Sequence, residues 1–135
     1  MIENIYDSFK HTFITENKLC IVKAEGKISF NSSIGEMIKV INNPEFDTNY
    51  RIIVDLTEIS YNPSYKEIEG IKNKLIQLKP YFKQKIALIS VGSISVITYL
   101  IAQFAKYNGL KIKTFTTLDN AYEWLNEVEE LVNNL

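Results

Sequence analysis

The sequence has little of the chemistry that disulfide-rich, zinc-binding or histidine-dependent proteins need. Its 135 residues include one cysteine, Cys20, and one histidine, His11. A single cysteine excludes an intramolecular disulfide framework, and a single histidine argues against a dedicated zinc site. Cys20 lies in the apolar run 19–22, where a free cysteine behaves as a small hydrophobic residue. We therefore predict no catalytic residue, metal or cofactor, and we interpret His11 as a half-exposed structural residue.

The sequence also lacks an excess of either charge. Lys and Arg number 15 against 16 Asp and Glu, so the net charge is −1 at pH 7. This argues against nucleic-acid binding, which depends on bulk positive charge. Hydrophobic residues make up 46% of the chain, enough for a core in one domain spanning 1–135. The first seven residues contain two acids and no base, unlike a signal peptide, so we expect a cytoplasmic protein.

One stretch is long and apolar enough to require an argument about membranes. Residues 86–105 carry no charged side chain. Gly92 and Ser93 interrupt this stretch, and its first part is typical of a buried strand. We therefore predict a strand over 85–91 and a mostly apolar helix over 93–108, with no transmembrane helix.

The rest of the chain alternates strand-like and helix-like segments. Strands are predicted at 6–15, 19–22, 51–56, 85–91 and 110–115. Helices are predicted after candidate caps at Ser33 (with Glu36), Ser64 (with Glu67), Ser93 or Ser95, and Thr117. This order predicts an α/β fold: an N-terminal β-hairpin, then alternating helices and strands. The sheet would be five-stranded, mixed and mostly parallel, with about four helices.

At this level of detail the chain resembles the SpoIIAA-like family of the STAS and SEC14-like group, over roughly 9–131. The resemblance rests on the order and spacing of short pieces, which are Glu25-Gly26-Lys27-Ile28, Asn43-Pro44-Glu45-Phe46-Asp47, Val54-Asp55-Leu56, Lys85-Ile86-Ala87, and Phe115 followed by Ala121-x-x-Trp124-Leu125. It implies a STAS-like fold. The SEC14-like branch further implies an apolar ligand or a role at a membrane surface.

The STAS branch of the resemblance directs attention to Ser64. Relatives of the anti-anti-sigma factors carry a phosphorylatable serine in an Asp-Ser-Ser-Gly-like loop after the strand that ends in Asp-Leu. Here Ser64 falls near that position, but Pro63 stands where the acid would be and Tyr65 where the small residue would be. The phosphorylation motif is therefore absent.

Three further features could carry a site. Asp55 follows a predicted central strand, where ligands of α/β sheets tend to bind, although a turn-stabilising role explains it as well. The turn 92–95 precedes a helix, where backbone N–H groups can hold an anion or simply be capped by Ser93. The helix 93–108 is apolar almost all the way round, which indicates a second apolar neighbour: adjacent helices, a second copy, a ligand or a membrane surface.

We predict a non-catalytic STAS/SEC14-like binding module that takes a protein partner or an apolar, lipid-like ligand. A homodimer and peripheral membrane contact are further expectations. The alternatives are a phosphorylation-switched regulatory domain using Ser64, or a small enzyme using Asp55. The predicted surface joins the 57–65 loop, the 92–95 turn and the apolar helix, through Asp55, Tyr61, Ser64, Tyr65, Ser93, Ser95, Ile97 and Tyr99.

Overall fold

The computed structural model describes residues 8–60 and 63–127, with Phe30 described by its backbone only. Five strands and four helices follow one another in these ranges. Their bounds are β1 Ser8–Ile14, β2 Leu19–Gly26, α1 Phe30–Asn42, β3 Arg51–Ile59, α2 Tyr65–Gln77, β4 Ile86–Ile89, α3 Ile94–Tyr107, β5 Ile112–Phe115 and α4 Leu118–Leu125. Short 3₁₀ turns lie at Thr15–Asn17 and Lys79–Tyr81.

The strands form one sheet in the order β1-β2-β3-β4-β5. β1 pairs with β2 as an antiparallel hairpin, and the remaining neighbours are parallel. A parallel pair requires a crossover connection, and each crossover here contains one helix. The predicted fold, a hairpin followed by alternating helices and strands in a mixed, mostly parallel sheet, is confirmed.

Helices cover both faces of the sheet, but unequally. α1, α2 and α3 pack on one face, around a cluster that includes Val22, Ile52, Leu75 and Ala102. α4 packs on the other face, where Ala121 and Leu125 meet Ile53 and Ile89. A two-sided sheet needs apolar side chains on both sides of its central strands, which explains the continuous apolar runs in β3 and β4.

Two cationic side chains hold the end of α4 at the amino-terminal edge of the sheet. Lys85, which is buried, donates from Nζ to the carbonyls of Trp124 at 2.8 Å and Glu127 at 3.2 Å. Arg51 donates from a guanidinium nitrogen to the carbonyl of Leu125 at 2.9 Å. These donors bind carbonyls in the last turn of the helix and just beyond it, at the end where positive charge is favourable.

The start of α1 differs from its prediction. The cap is Ser29, whose Oγ accepts from the Ser32 amide at 3.1 Å, while the Ser32 Oγ accepts from the Ser29 amide at 2.8 Å. The predicted box of Ser33 with Glu36 is wrong, because the helix begins at Phe30. Glu36 therefore lies inside the helix, on the turn that faces the sheet. The boxes and caps predicted at Ser64 with Glu67, and at Thr117, are confirmed.

β3 is longer than its prediction. It was expected to end at Leu56, but it continues to Ile59, because after a shift in register it pairs with Glu25 and Gly26 of β2. The first part of the expected 57–65 loop is therefore strand. No helix in the described part of the chain is long and apolar enough to cross a membrane.

Candidate functional site

An apolar cavity of about 180 Å³ lies between the sheet and the three helices that share one face of it. Where the strands pair regularly they contribute alternate residues, since only every second side chain of a strand points to a given face. Ile59 follows the shift in register between β2 and β3 and interrupts this alternation. Most of the lining is aliphatic or aromatic. From the sheet it includes Phe9, Val22, Ile52, Val54, Leu56, Ile59, Ile86, Leu88 and Ile112, and from the helices Met37, Val40, Ile71, Leu75, Ile94, Ile97 and Ile101.

The two ends of the cavity differ in exposure. Lining residues toward the amino-terminal ends of the strands, such as Ile52, Ile86 and Ile112, are buried. Those toward the carboxyl ends, such as Leu56, Ile59 and Ile94, are only half-buried. Several lining residues at the carboxyl end are therefore less covered than those at the amino end, and the carboxyl end is where ligands enter most open α/β sheets.

One acidic side chain forms part of the cavity wall. Glu36 of α1 is 7% exposed and lies one turn before Val40 on the same face of the helix. Its Oε2 lies 2.7 Å from Nδ1 of His11 on β1, a hydrogen-bonded pair that crosses from the helix to the sheet. The expectation that His11 is a partly exposed structural residue agrees with this position, but its partner was not anticipated.

The charge of Glu36 also acts on Cys20. Cys20 is fully buried on β2. Burial, and then the negative charge of Glu36, raise the pKa of the Cys20 thiol to about 12. A thiol with so high a pKa is protonated at neutral pH and is a poor nucleophile. The interpretation of Cys20 as a core residue is consistent with this environment.

Ser64 and Tyr65 lie where the chain enters α2. The Ser64 Oγ accepts from the Glu67 amide at 3.2 Å, and the Glu67 carboxylate accepts from the Ser64 amide at 2.9 Å. Ser64 is exposed, and Tyr65 is 77% exposed. The preceding residue, Pro63, is buried and lines the cavity, so the turn before α2 joins an exposed hydroxyl to the cavity wall.

The predicted residues of α3 separate onto different surfaces. Ile97 faces inward and lines the cavity. Tyr99 is 51% exposed and faces outward with Val96 and Leu100. The apolar periphery of this helix therefore has two environments, because one side packs around the cavity and the other is exposed to solvent.

Ser93 and Ser95 lie in the turn that opens α3. Ser93 is the N-cap residue, but its side chain makes no capping hydrogen bond, and Ser95 donates from Oγ to the carbonyl of Gly92 at 2.6 Å. Ser95 also lines a separate polar crevice at the carboxyl ends of β4 and β5, which is lined by Ser90, Ser95, Thr114, Phe115, Thr116 and Asn120. Apart from Phe115, the side chains of these residues carry uncharged hydrogen-bonding groups, unlike most of the wall of the apolar cavity.

Asp55 projects from the face of the sheet opposite to the cavity, as does its neighbour Ile53. Its Oδ1 accepts from the amide and the hydroxyl of Thr57 at 2.9 and 2.7 Å, and its Oδ2 lies 3.6 Å from Nζ of Lys23. Burial raises the pKa of Asp55, but the hydrogen bonds from Thr57 and the charge of Lys23 outweigh it, so the net pKa lies below the ordinary value of 3.8. These contacts are those of a carboxylate that stabilises local backbone structure.

The residues of the predicted surface are therefore distributed over several separate regions. Ile97 lies at the cavity, Ser95 at the polar crevice and Asp55 on the opposite face, while Tyr61 falls outside the described residues. Glu36 was not among the predicted site residues. The sequence did contain a signal for it: Glu36 lies four residues before Val40, and residues four apart lie on the same face of a helix. Within the described ranges, no three His, Cys, Asp or Glu side chains are grouped so that they could hold a metal ion.

Comparison with known structures identifies the fold. The chain is similar to the crystal structure of an uncharacterised protein of the DUF3478 family, with a SpoIIAA-like fold, from Shewanella loihica PV-4. The two share 16% sequence identity with a TM-score of 0.60, over 93% of this chain and 98% of that one. No protein-family model and no curated protein sequence matches this chain. This likeness shows that the chain has a SpoIIAA-like fold.

Proposed function

We propose that this domain is a non-catalytic, STAS-type binding module that holds a small apolar ligand in the cavity between the sheet and helices α1 to α3. The observation that carries the proposal is a cavity of about 180 Å³ whose described lining residues are apolar apart from three, Ser33, Glu36 and Thr98. Ligand sites are typically concave and mostly apolar, with a small number of polar groups that orient the ligand. This cavity has that composition.

The volume limits the size of the ligand. An apolar protein cavity of roughly 150 Å³ takes up benzene or xenon. A cavity of about 180 Å³ therefore suits a single substituted ring or a short alkyl chain. A longer acyl chain is accommodated only if part of it extends through the half-buried carboxyl end, past Leu56, Ile59 and Ile94.

Native mass spectrometry of freshly purified protein, followed by solvent extraction, is the first test. We expect a bound apolar molecule, or an empty protein that takes up added toluene. Uptake is followed by the ¹³C-methyl spectrum, because many isoleucine, leucine and valine methyl groups line the cavity. Shifts should be largest for the methyl groups of Ile52, Val54 and Leu88. A protein that carries no ligand and whose cavity methyl signals do not respond to toluene would contradict the proposal.

Two substitutions on α3 provide a matched pair. Ile97→Glu places a charge on the cavity wall, whereas Tyr99→Glu places the same charge on the outward side of the same helix. We expect Ile97→Glu to abolish toluene uptake and Tyr99→Glu to preserve it. Loss of uptake in both variants, or in neither, would show that the cavity is not the binding site. A dimer that only Tyr99→Glu dissociates would instead assign the outward side of α3 to a second copy of the chain.

The phosphorylation-switched alternative is supported by a different observation. The Ser64 hydroxyl is exposed at the N-terminus of the 13-residue helix α2, a position where added negative charge is favourable. Apolar-ligand binding predicts that Ser64→Ala leaves toluene uptake unchanged. A regulatory switch predicts that Ser64→Ala abolishes a partner interaction while the cavity still binds toluene.

The small-enzyme alternative, which depends on Asp55, predicts a different result. Asp55 lies on the opposite face of the sheet and its oxygens accept from Thr57 and approach Lys23. The binding proposal therefore predicts that Asp55→Asn leaves ligand uptake unchanged. The expected cytoplasmic location stays a prediction, which fractionation of cells that produce the protein would test.

A further inference from the structure

The polar groups in the cavity wall are not equally available to a ligand. The Ser33 hydroxyl donates to the carbonyl of Ser29 at 2.9 Å, and the Thr98 hydroxyl donates to the carbonyl of Ile94 at 2.9 Å. Both hydroxyl protons are therefore committed to the backbone of their own helices. Glu36 is the only charged residue among the described residues that line the cavity.

The carboxylate of Glu36 is only half satisfied. Oε2 is bonded to Nδ1 of His11 at 2.7 Å, and Oε1 has no hydrogen-bond partner among the described residues. Glu36 is 7% exposed, so solvent has little access to the second oxygen. Buried polar atoms are nearly always hydrogen-bonded, because an unpaired one loses its hydration without compensation.

An ionised carboxylate accepts hydrogen bonds but cannot donate one. The missing partner must therefore be a donor, and it must arrive attached to a body that fits an apolar cavity. We infer that the cavity selects ligands in which a small apolar body carries a hydrogen-bond donor, an alcohol or an amine, and that it rejects the corresponding carboxylates. This inference rests on the proposed function, since it names the ligand class of the same cavity.

Rejection of carboxylates follows from charge. A ligand carboxylate beside Glu36 would place two like charges together in a region of low dielectric constant, where their repulsion is strong. The charge of Glu36 already acts on the surrounding core, because it contributes to the raised pKa of Cys20. Free fatty acids also have an apolar body, but their head group is a carboxylate, so we predict that they are poor ligands.

Four probes that share one carbon skeleton test the inference: toluene, benzyl alcohol, benzylamine and benzoate. Their affinities are measured by titration of the cavity methyl signals. We expect benzyl alcohol or benzylamine to bind about tenfold more tightly than toluene, as one hydrogen bond to a charged group allows. Comparison of benzyl alcohol with benzylamine shows whether the cavity prefers a neutral or a cationic hydrogen-bond donor. Benzoate is expected to bind at least about tenfold more weakly than benzyl alcohol.

Two substitutions assign the selectivity to Glu36. Glu36→Leu removes the acceptor and should make benzyl alcohol and toluene bind equally. Glu36→Gln supplies an amide that donates, and should raise the affinity for benzoate by about tenfold. Glu45→Gln, an exposed acid in the loop after α1, is the matched control and should leave all four affinities unchanged.

The outcomes separate this inference from the proposed function. If benzoate binds as tightly as benzyl alcohol, or if the order of the four probes is the same in Glu36→Leu, the inference is wrong while the apolar cavity stays a binding site. If toluene and its three derivatives all leave the cavity methyl signals unchanged, the proposed function is wrong as well.

Discussion

The substitution Val54→Phe tests whether the cavity beside β3 is empty of protein atoms. Val54 is half-buried on the central strand, and its side chain lines the cavity. The substitution adds four side-chain carbons, which occupy roughly 50 Å³. That addition is well below the cavity volume of about 180 Å³, so the ring has room to enter without displacing its neighbours. At about 24 cal/mol for each Å³ of cavity filled, we expect the free energy of unfolding to rise by about 1 kcal/mol.

Ile53→Phe is the matched control from the adjacent position. Ile53 is fully buried on the opposite face of β3, against Ala87, Ala121 and Leu125 of a tightly packed cluster. Extra carbons there have no space to fill, and overpacking of a well-packed core costs about 1–3 kcal/mol. The two substitutions should therefore change stability in opposite directions, although they lie next to each other on one strand.

Urea unfolding gives both values, with the fluorescence of Trp124, the single tryptophan, as the signal. The same Val54→Phe variant should no longer bind toluene, because its ring occupies the space that the ligand would take. The reasoning is refuted if Val54→Phe and Ile53→Phe destabilise the domain by similar amounts. That result would mean that side chains already fill the space, and the proposed ligand site would fall with it.

Three further predictions concern individual side chains. Lys85→Met removes the donor to two carbonyls at the end of α4 and should lower the free energy of unfolding by about 1–3 kcal/mol in urea titrations; an unchanged midpoint would show that α4 is held without it. Burial raises the pKa of Asp55, but the hydrogen bonds from Thr57 and the charge of Lys23 lower it further, so its pKa in the folded state lies below 3.8. The ionised form of Asp55 therefore stabilises the fold above pH 3.8. That contribution is lost as the pH falls through the folded-state pKa, and Asp55→Asn should reduce the loss of stability below about pH 4 in midpoints measured from pH 7 to pH 3; an equal acid dependence in both proteins would contradict it. Cys20, whose pKa burial and then the charge of Glu36 raise to about 12, should resist iodoacetamide at pH 8 in the native protein and react once urea unfolds it, whereas rapid native modification would contradict the described burial.

Much of the fold was predictable because its signals are local. The capping box at Ser64 and Glu67 involves residues three apart, and so does the cap at Thr117. The start of α1 was predicted wrongly, because Ser33 with Glu36 was taken as the capping box. The helix begins four residues earlier, after Ser29, whose backbone is extended and whose side chain forms the box with Ser32. The end of β3 was also missed, since its last residues are strand only because β2 pairs with them.

The candidate site was much less predictable, because it is a product of tertiary structure. A cavity exists where side chains from separate strands and helices fail to meet, and no single segment carries that information. The role of Glu36 depends on His11, which is 25 residues away. The sequence did contain part of the signal, since an acid beside Met37 and one turn before Val40 lies on the apolar face of its helix. A lone acid in that position is a reason to look for a buried partner before a cap is assigned.

An empty cavity lowers the free energy of unfolding, and this cost is a physical reason to propose that the domain binds a ligand. At about 24 cal/mol for each Å³, an empty apolar cavity of about 180 Å³ lowers the free energy of unfolding by up to about 4 kcal/mol. Domains of this size have only about 5–15 kcal/mol in total, so the loss is a large fraction of the stability. A ligand that binds only the folded state offsets it, by about 2.7 kcal/mol when its concentration is about 100 times its Kd. The empty domain should therefore be distinctly less stable than the loaded one, and the gain in stability with each probe should follow the order of affinities that Glu36 sets.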